Sequence, residues 1–295
     1  MRGTLNLRRP ASRLKEYALL MRLDRPIGIW LLLWPTLWAL WVAGAGHPRA
    51  DVFVVFVAGV VLMRSAGCVM NDFADRKFDP HVARTRDRPI PRGAVSPAEA
   101  LLLAAGLGAI SFALVLTMNR LTVLLALAGA VLAVGYPFLK RFTHLPQVWL
   151  GVSFGWSVPM AFAAQTGTVP RVAWLMFLAV VVWAVVYDTL YAMVDREDDL
   201  KLGIGSTAIL FGDLDRPILA AMQVVLLLAL VLTGQAAELG GWYYAAVCVA
   251  AALSLWQQYL IAGREPERCF RAFLSNHYLG MAIFIGILLD YTFRH

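Results

Sequence analysis

The chain has 295 residues, 60% hydrophobic and only 15% charged, with a mean hydropathy of +0.67. Soluble domains carry about 45–50% apolar and about 25% charged residues, so this composition excludes a soluble globular protein, a disordered chain, a disulfide scaffold and a coiled coil. The net charge of +7 is spread between long apolar runs with no basic stripe interleaved with aromatics, and the three cysteines lack CxxC spacing, so neither nucleic-acid binding nor a zinc site is indicated.

Residues 1–26 read as a basic, mildly amphipathic cytoplasmic segment ending at Arg25-Pro26, not as a secretory signal. A bilayer core of about 30 Å needs about 20 apolar residues in helix. On that template nine spans follow, at about 27–44, 52–70, 98–118, 121–139, 148–164, 173–194, 217–235, 241–261 and 273–293. Residues 27–295 are thus expected to form one all-α transmembrane domain, with long polar loops at 71–97 and 195–216. With the N-terminus inside, 21 Lys and Arg fall on cytoplasmic segments against four outside, with Arg64 alone within a span. Both long loops then face the cytoplasm. An acidic cluster follows the second span and another follows the sixth, which reads as two parallel four-helix quasi-repeats plus one helix.

The first cluster runs Asn71-Asp72-Phe73-Ala74-Asp75-Arg76-Lys77-Phe78-Asp79, an NDxxDxxxD pattern. At about 100° per residue, Asn71, Asp75 and Asp79 share one face of a helix expected to extend out of the second span. In the second cluster, Tyr187 to Asp199, no Gly or Pro interrupts 173–202, so Asp188, Asp195 and Asp199 share a stripe with Asp198 beside it. Two carboxylate rows at the mouth of an apolar bundle repel each other unless cations lie between them. Oxygen ligands suit Mg²⁺, which takes one or two carboxylates together with substrate phosphate. Arg84, Arg88 and Lys140-Arg141 are the basic partners for such an anion. Asp72, Arg86, Asp87 and Glu197 read instead as solvated loop charges. Arg64 lies seven residues before Asn71, nearly on the same face and about two turns deeper, where a cation suits a small carboxylate.

The ligand expected of such a site is an anion with phosphates, held as a metal complex. An ion-coupled transporter is the alternative of another class, but its charges belong nearer the midplane.

The sequence resembles the UbiA family of intramembrane aromatic prenyltransferases, within it the branch acting on 4-hydroxybenzoate in bacterial ubiquinone synthesis. The resemblance rests on Asp24-Arg25-Pro26-Ile27-Gly28, Leu33-Trp34-Pro35-Thr36-Leu37-Trp38-Ala39, Asn71 to Asp79, Tyr136-Pro137 to Pro146-Gln147, Tyr187 to Asp199 and Gly205-Ser206-Thr207-Ala208, which span residues 24–212. It implies nine transmembrane helices around a central cavity in the bacterial inner membrane, Mg²⁺ dependence, and transfer of a long polyprenyl group from polyprenyl diphosphate to the carbon ortho to the hydroxyl of 4-hydroxybenzoate. The chemistry that follows is ionisation of an allylic diphosphate in a dry cavity, with Asp75 and Asp195 central to catalysis and Asp188 the candidate for proton removal or hydroxyl polarisation. The family's metal–diphosphate positions fall on Asn71, Asp75, Asp79, Asp195 and Asp199. Its diphosphate-contacting positions fall on Arg84, Arg88 and Lys140, its pocket-lining tyrosine on Tyr136, and the arginine proposed to hold the benzoate carboxylate on Arg64. Other acceptors in the family include haem, homogentisate, naphthoates and glycerol phosphates.

Overall fold

The computed structural model describes residues 10–81, 85–139, 143, 145–203 and 205–293, and within them the regular structure is helical throughout. In chain order the helices are α1 (Pro10–Leu20), α2 (Ile27–Ala43), α3 (Ala50–Ala74), α4 (Pro97–Val115), α5 (Arg120–Leu139), α6 (Pro146–Gly155), α7 (Ser157–Thr166), α8 (Arg171–Leu202), α9 (Thr207–Phe211), α10 (Asp215–Ala236), α11 (Gly241–Leu260) and α12 (Pro266–Phe293). Six helical stretches, Ala50–Ala74, Pro97–Val115, Arg171–Lys201, Thr207–Ala236, Gly241–Gly263 and Pro266–Phe293, are long and apolar enough to cross a membrane, with shorter apolar helices at Ile27–Ala43 and Arg120–Tyr136. The segment expected as one span at 148–164 is divided into α6 and α7 at Trp156. Pro159 explains the interruption, since it offers no N–H to the Gly155 carbonyl and its ring crowds that position.

Large apolar side chains on the outer faces remain uncovered, Val131 at 70% and Leu255 at 73% exposure. In water such a surface would aggregate, so its natural solvent is lipid. The core lies between α2, α8 and α12. Trp38 stacks on Trp183 with ring centroids 5.3 Å apart and donates from Nε1 to the Gly280 carbonyl at 3.0 Å. Trp183 in turn donates to Asn276 Oδ1 at 2.9 Å, so both buried indole N–H groups are satisfied. Gly280 permits this approach: a Cβ there would lie 2.6 Å from Trp34 Cδ1 and 2.7 Å from Trp183 Cη2. These are rigid rings that cannot step aside. Gly280→Ala is expected to cost about 1–3 kcal/mol through overpacking, read as a lower midpoint of unfolding in detergent; an unchanged midpoint would contradict the close packing.

Polar side chains bind the second half of the bundle. Gln223 Nε2 donates to Gln257 Oε1, Gln257 Nε2 to Ser275 Oγ, and Gln258 Nε2 to Gln223 Oε1, each at 2.9 Å. This chain joins α10, α11 and α12 by hydrogen bonds that lipid cannot replace. At the end of α10, buried Asp215 accepts from Arg264 Nη2 at 2.7 Å and from Arg196 Nη1 at 3.4 Å. Arg196 is thereby drawn toward α10, away from the cavity that its neighbour Asp195 lines. The helix α8 closes on Gly203 in the left-handed region, φ 66°, the usual cap for such an end.

Candidate active site

A cavity of about 1520 Å³ opens inside the bundle between α2–α8 and α12. Its deep walls carry apolar side chains such as Val55, Phe56, Phe112 and Met160, and its rim gathers both acidic clusters. Asn71, Asp75, Asp79, Asp188, Asp195, Asp198 and Asp199 all border this one space, as do Arg64, Arg88 and Tyr136. Arg84 and Lys140, and Arg141 beside it, lie outside the described residues.

On α8 the sequence pattern carries straight into geometry, because the helix runs unbroken from Arg171 to Leu202. Asp188, Asp195 and Asp199 therefore sit along one stripe facing the cavity. The first cluster is arranged differently from the expected continuous helix. α3 ends at Ala74 with Asp75 as its C-cap, and Asp79 begins a short 3₁₀ turn, Asp79–His81. Pro80 supplies the reason: it lacks an N–H and disfavours helical backbone at the residue before it. One helical turn is still closed, with the Phe78 and Asp79 amides donating to the Asp75 carbonyl at 2.8 and 2.9 Å, so Asp79 reaches the same cavity.

Asp72 is not the solvated charge its sequence position implied. Only 1% exposed, it accepts from Arg22 Nη2 at 2.7 Å and from Arg88 Nη1 at 3.0 Å. One residue past Asn71, it is turned about 100° from the motif face, toward the N-terminal segment. Arg22 reaches it from a left-handed backbone, φ 55°, just beyond α1. Burial works against the Arg22 charge, and the Asp72 carboxylate more than restores it, so the guanidinium holds its proton more firmly than an exposed arginine. Arg88 Nη1 also donates to Asp79 Oδ2 at 3.0 Å. Burial raises the Asp79 carboxyl above its ordinary range, the Arg88 charge pulls it back, and Asp72 and Asp75 raise it further. Arg86, Asp87 and Glu197 are exposed, as solvated loop charges should be.

Three polar atoms at the cavity walls are buried and find no hydrogen-bond partner among the described residues: Asn71 Oδ1, Arg64 Nε and Tyr187 Oη. Arg64 Nη1 donates to Cys68 Sγ at 2.8 Å. The Tyr187 hydroxyl, given no role in the sequence reading, belongs to a side chain that lines the cavity together with Arg64, Asp188 and Tyr136. Unpaired buried polar groups are costly unless a ligand satisfies them. Among the described residues, no three His, Cys, Asp or Glu side chains are close enough to form a ready-made metal cage. The rim can instead offer one or two oxygens to a cation that brings its other ligands with it.

Residues 32–284 match the UbiA prenyltransferase family. The chain is 62% identical over 280 residues to the 4-hydroxybenzoate octaprenyltransferase of Nitrosococcus oceani, covering 95% of this chain and 98% of that relative. Among solved structures it is similar to the apo structure of a UbiA homolog from Aeropyrum pernix K1, with a TM-score of 0.78, 28% identity, and coverage of 88% of this chain and 97% of the other. It also shares its fold with a UbiA homolog from Archaeoglobus fulgidus bound to GPP and Mg²⁺, at a TM-score of 0.71 and 17% identity, covering 93% of this chain and 99% of that one. On the family match and the near full-length identity, the chain belongs to the UbiA prenyltransferase family.

Proposed function

We propose that this chain transfers a long polyprenyl group from polyprenyl diphosphate to the ring carbon ortho to the hydroxyl of 4-hydroxybenzoate, giving 3-polyprenyl-4-hydroxybenzoate and diphosphate in ubiquinone biosynthesis. The supporting observation is one cavity that joins an acidic rim, a deeper unsatisfied cation and a large apolar volume. Each part suits one portion of the two substrates: the diphosphate, the benzoate carboxylate and the prenyl chain. Relatives bearing the name 4-hydroxybenzoate octaprenyltransferase support the same acceptor.

The rim fits Mg²⁺. Its donors are hard oxygens, and the buried Asn71 Oδ1 awaits a partner beside them. Asn71, Asp75 and Asp79 from one cluster and Asp195 and Asp199 from the other would hold Mg²⁺ together with the diphosphate, each ion taking one or two of these oxygens and the rest of its ligands from phosphate. Bound there, Mg²⁺ supplies neutralising charge to the diphosphate as it leaves. Arg88 adds fixed positive charge at the same rim, with Arg84 and Lys140 assigned to it by the family pattern. The apolar walls exclude water, which would otherwise capture an allylic cation once the C–O bond breaks. Arg64 pairs with the carboxylate of the acceptor and so presents the ring to the cation. Asp188 polarises the acceptor hydroxyl or takes the proton released from the ring, and Tyr136 lines the pocket between the two substrates.

In this reading residues 27–295 are a single domain with nine membrane passes, two parallel four-helix quasi-repeats and one further helix, in the bacterial inner membrane. The N-terminal segment 1–26 and both acidic loops face the cytoplasm, as the Lys and Arg asymmetry requires. Incubating membranes that contain the protein with 4-hydroxybenzoate, a polyprenyl diphosphate and Mg²⁺ is expected to yield the ring-prenylated acid. Preference for a noncarboxylated phenol, homogentisate or a glycerol phosphate in the same assay would overturn the acceptor assignment.

A further inference from the structure

Gly28 is the second residue of α2, after Pro26-Ile27, and is buried against the side chain of Arg64 on α3. A Cβ built on Gly28 would lie 2.6 Å from Arg64 Cζ and closer still to Nε and Nη2. The guanidinium therefore occupies the volume that any other residue at position 28 would fill. Cys68 takes Nη1, while Nε is buried with no partner among the described residues, in a side chain that borders the cavity. The second unsatisfied group, Tyr187 Oη, is buried in a side chain that borders the same cavity. Such a desolvated donor is tolerated poorly until an anion pairs with it.

We infer that Gly28 determines acceptor specificity: its missing side chain is the slot that seats the Arg64 guanidinium, with Tyr187, as the receptor for a small aromatic carboxylate. The inference rests on the reading of Arg64 as the carboxylate partner. It adds that the position of the charge is set by a residue 36 places earlier that bears no functional group. The atoms a Cβ would strike are the far end of a flexible side chain, so the bundle survives the substitution and the charge moves instead. Gly28 is thus a positioning residue, acting through Arg64.

The test is steady-state kinetics of Gly28→Ala, Arg64→Ala and the double variant in detergent or proteoliposomes. G28A is expected to raise KM for 4-hydroxybenzoate about ten- to hundredfold, the worth of a charged hydrogen bond, with KM for the polyprenyl diphosphate unchanged. R64A should do the same, and G28A/R64A should be no worse than R64A alone, because both act on one contact. Arg64→Lys in the G28A background should recover part of the loss, since an ammonium is slimmer than a guanidinium. A normal acceptor KM in R64A would remove the carboxylate reading itself. A raised KM in R64A with a normal one in G28A would overturn only the role of Gly28. Should G28A fail to fold, G28A/R64A, which lacks the clashing group, is expected to fold; unfolding of both overturns the inference.

Discussion

Replacing Asp75 or Asp195 by alanine is expected to lower turnover by at least about 10²–10³-fold, the scale on which one preorganised electrostatic contact to a transition state is lost. Each residue stands on a different cluster, one at the end of α3 and one on α8, and both border the same cavity. If the two clusters share the metal-bound diphosphate, loss of either disables both. Helix content should not fall, since both carboxylates lie at the cavity rim and not in the buried core. Chelation of divalent cations should bring the wild type to the level of these variants and affect the variants no further. Asp198→Ala is the internal control: Asp198 borders the cavity but is 54% exposed and pairs with Lys201 at 3.5 Å. Its loss should matter little, as for most solvated ion pairs. Near-normal turnover in D75A or D195A would end the metal–diphosphate reading of the rim.

The second large effect concerns stability. Asp72→Ala removes the partner that Arg22 and Arg88 share, at 2.7 and 3.0 Å, and leaves both cations in a largely dry environment. Breaking a buried pair costs about 3–5 kcal/mol, and the lower end applies because these arginines keep 29% and 20% of their side-chain exposure. Denaturant or thermal unfolding in detergent measures it. A loss below about 1 kcal/mol would place Asp72 among the ordinary surface pairs. Arg22→Ala should cost less, because Arg88 remains to neutralise the carboxylate. The same hub ties the N-terminal segment to the loop carrying Arg88, so D72A should also free Arg88 from one of its two carboxylates and loosen its hold on the rim.

The pattern from 173 to 202 announced its own structure. With no Gly or Pro in the run, helical periodicity alone aligned Asp188, Asp195 and Asp199, and α8 bears that alignment out. The NDxxDxxxD cluster was legible as chemistry but not as geometry. Pro80 ends the helix before Asp79, and the turn that replaces it happens to return Asp79 to the cavity. The split of the fifth apolar segment at Trp156 could have been anticipated from Pro159, a signal weaker than the surrounding hydrophobicity. Tyr187 stood at the head of the second cluster without a role of its own; its unsatisfied hydroxyl becomes visible only when the cavity wall is assembled.

Composition and local pattern by themselves determined the medium this protein lives in, most of the helices it forms there and the stripe of carboxylates on α8. Those properties follow from transfer of each segment out of water and from 3.6 residues per turn, which involve only neighbours along the chain. Tertiary structure alone decided that Asp72 is buried between Arg22, 50 positions earlier, and Arg88, 16 positions later, and that Arg64 lies in the space Gly28 leaves. Such contacts depend on how helices rotate and how closely their backbones approach. That is set by the simultaneous fit of side-chain volumes and buried partners across the whole bundle, which no stretch of sequence encodes alone.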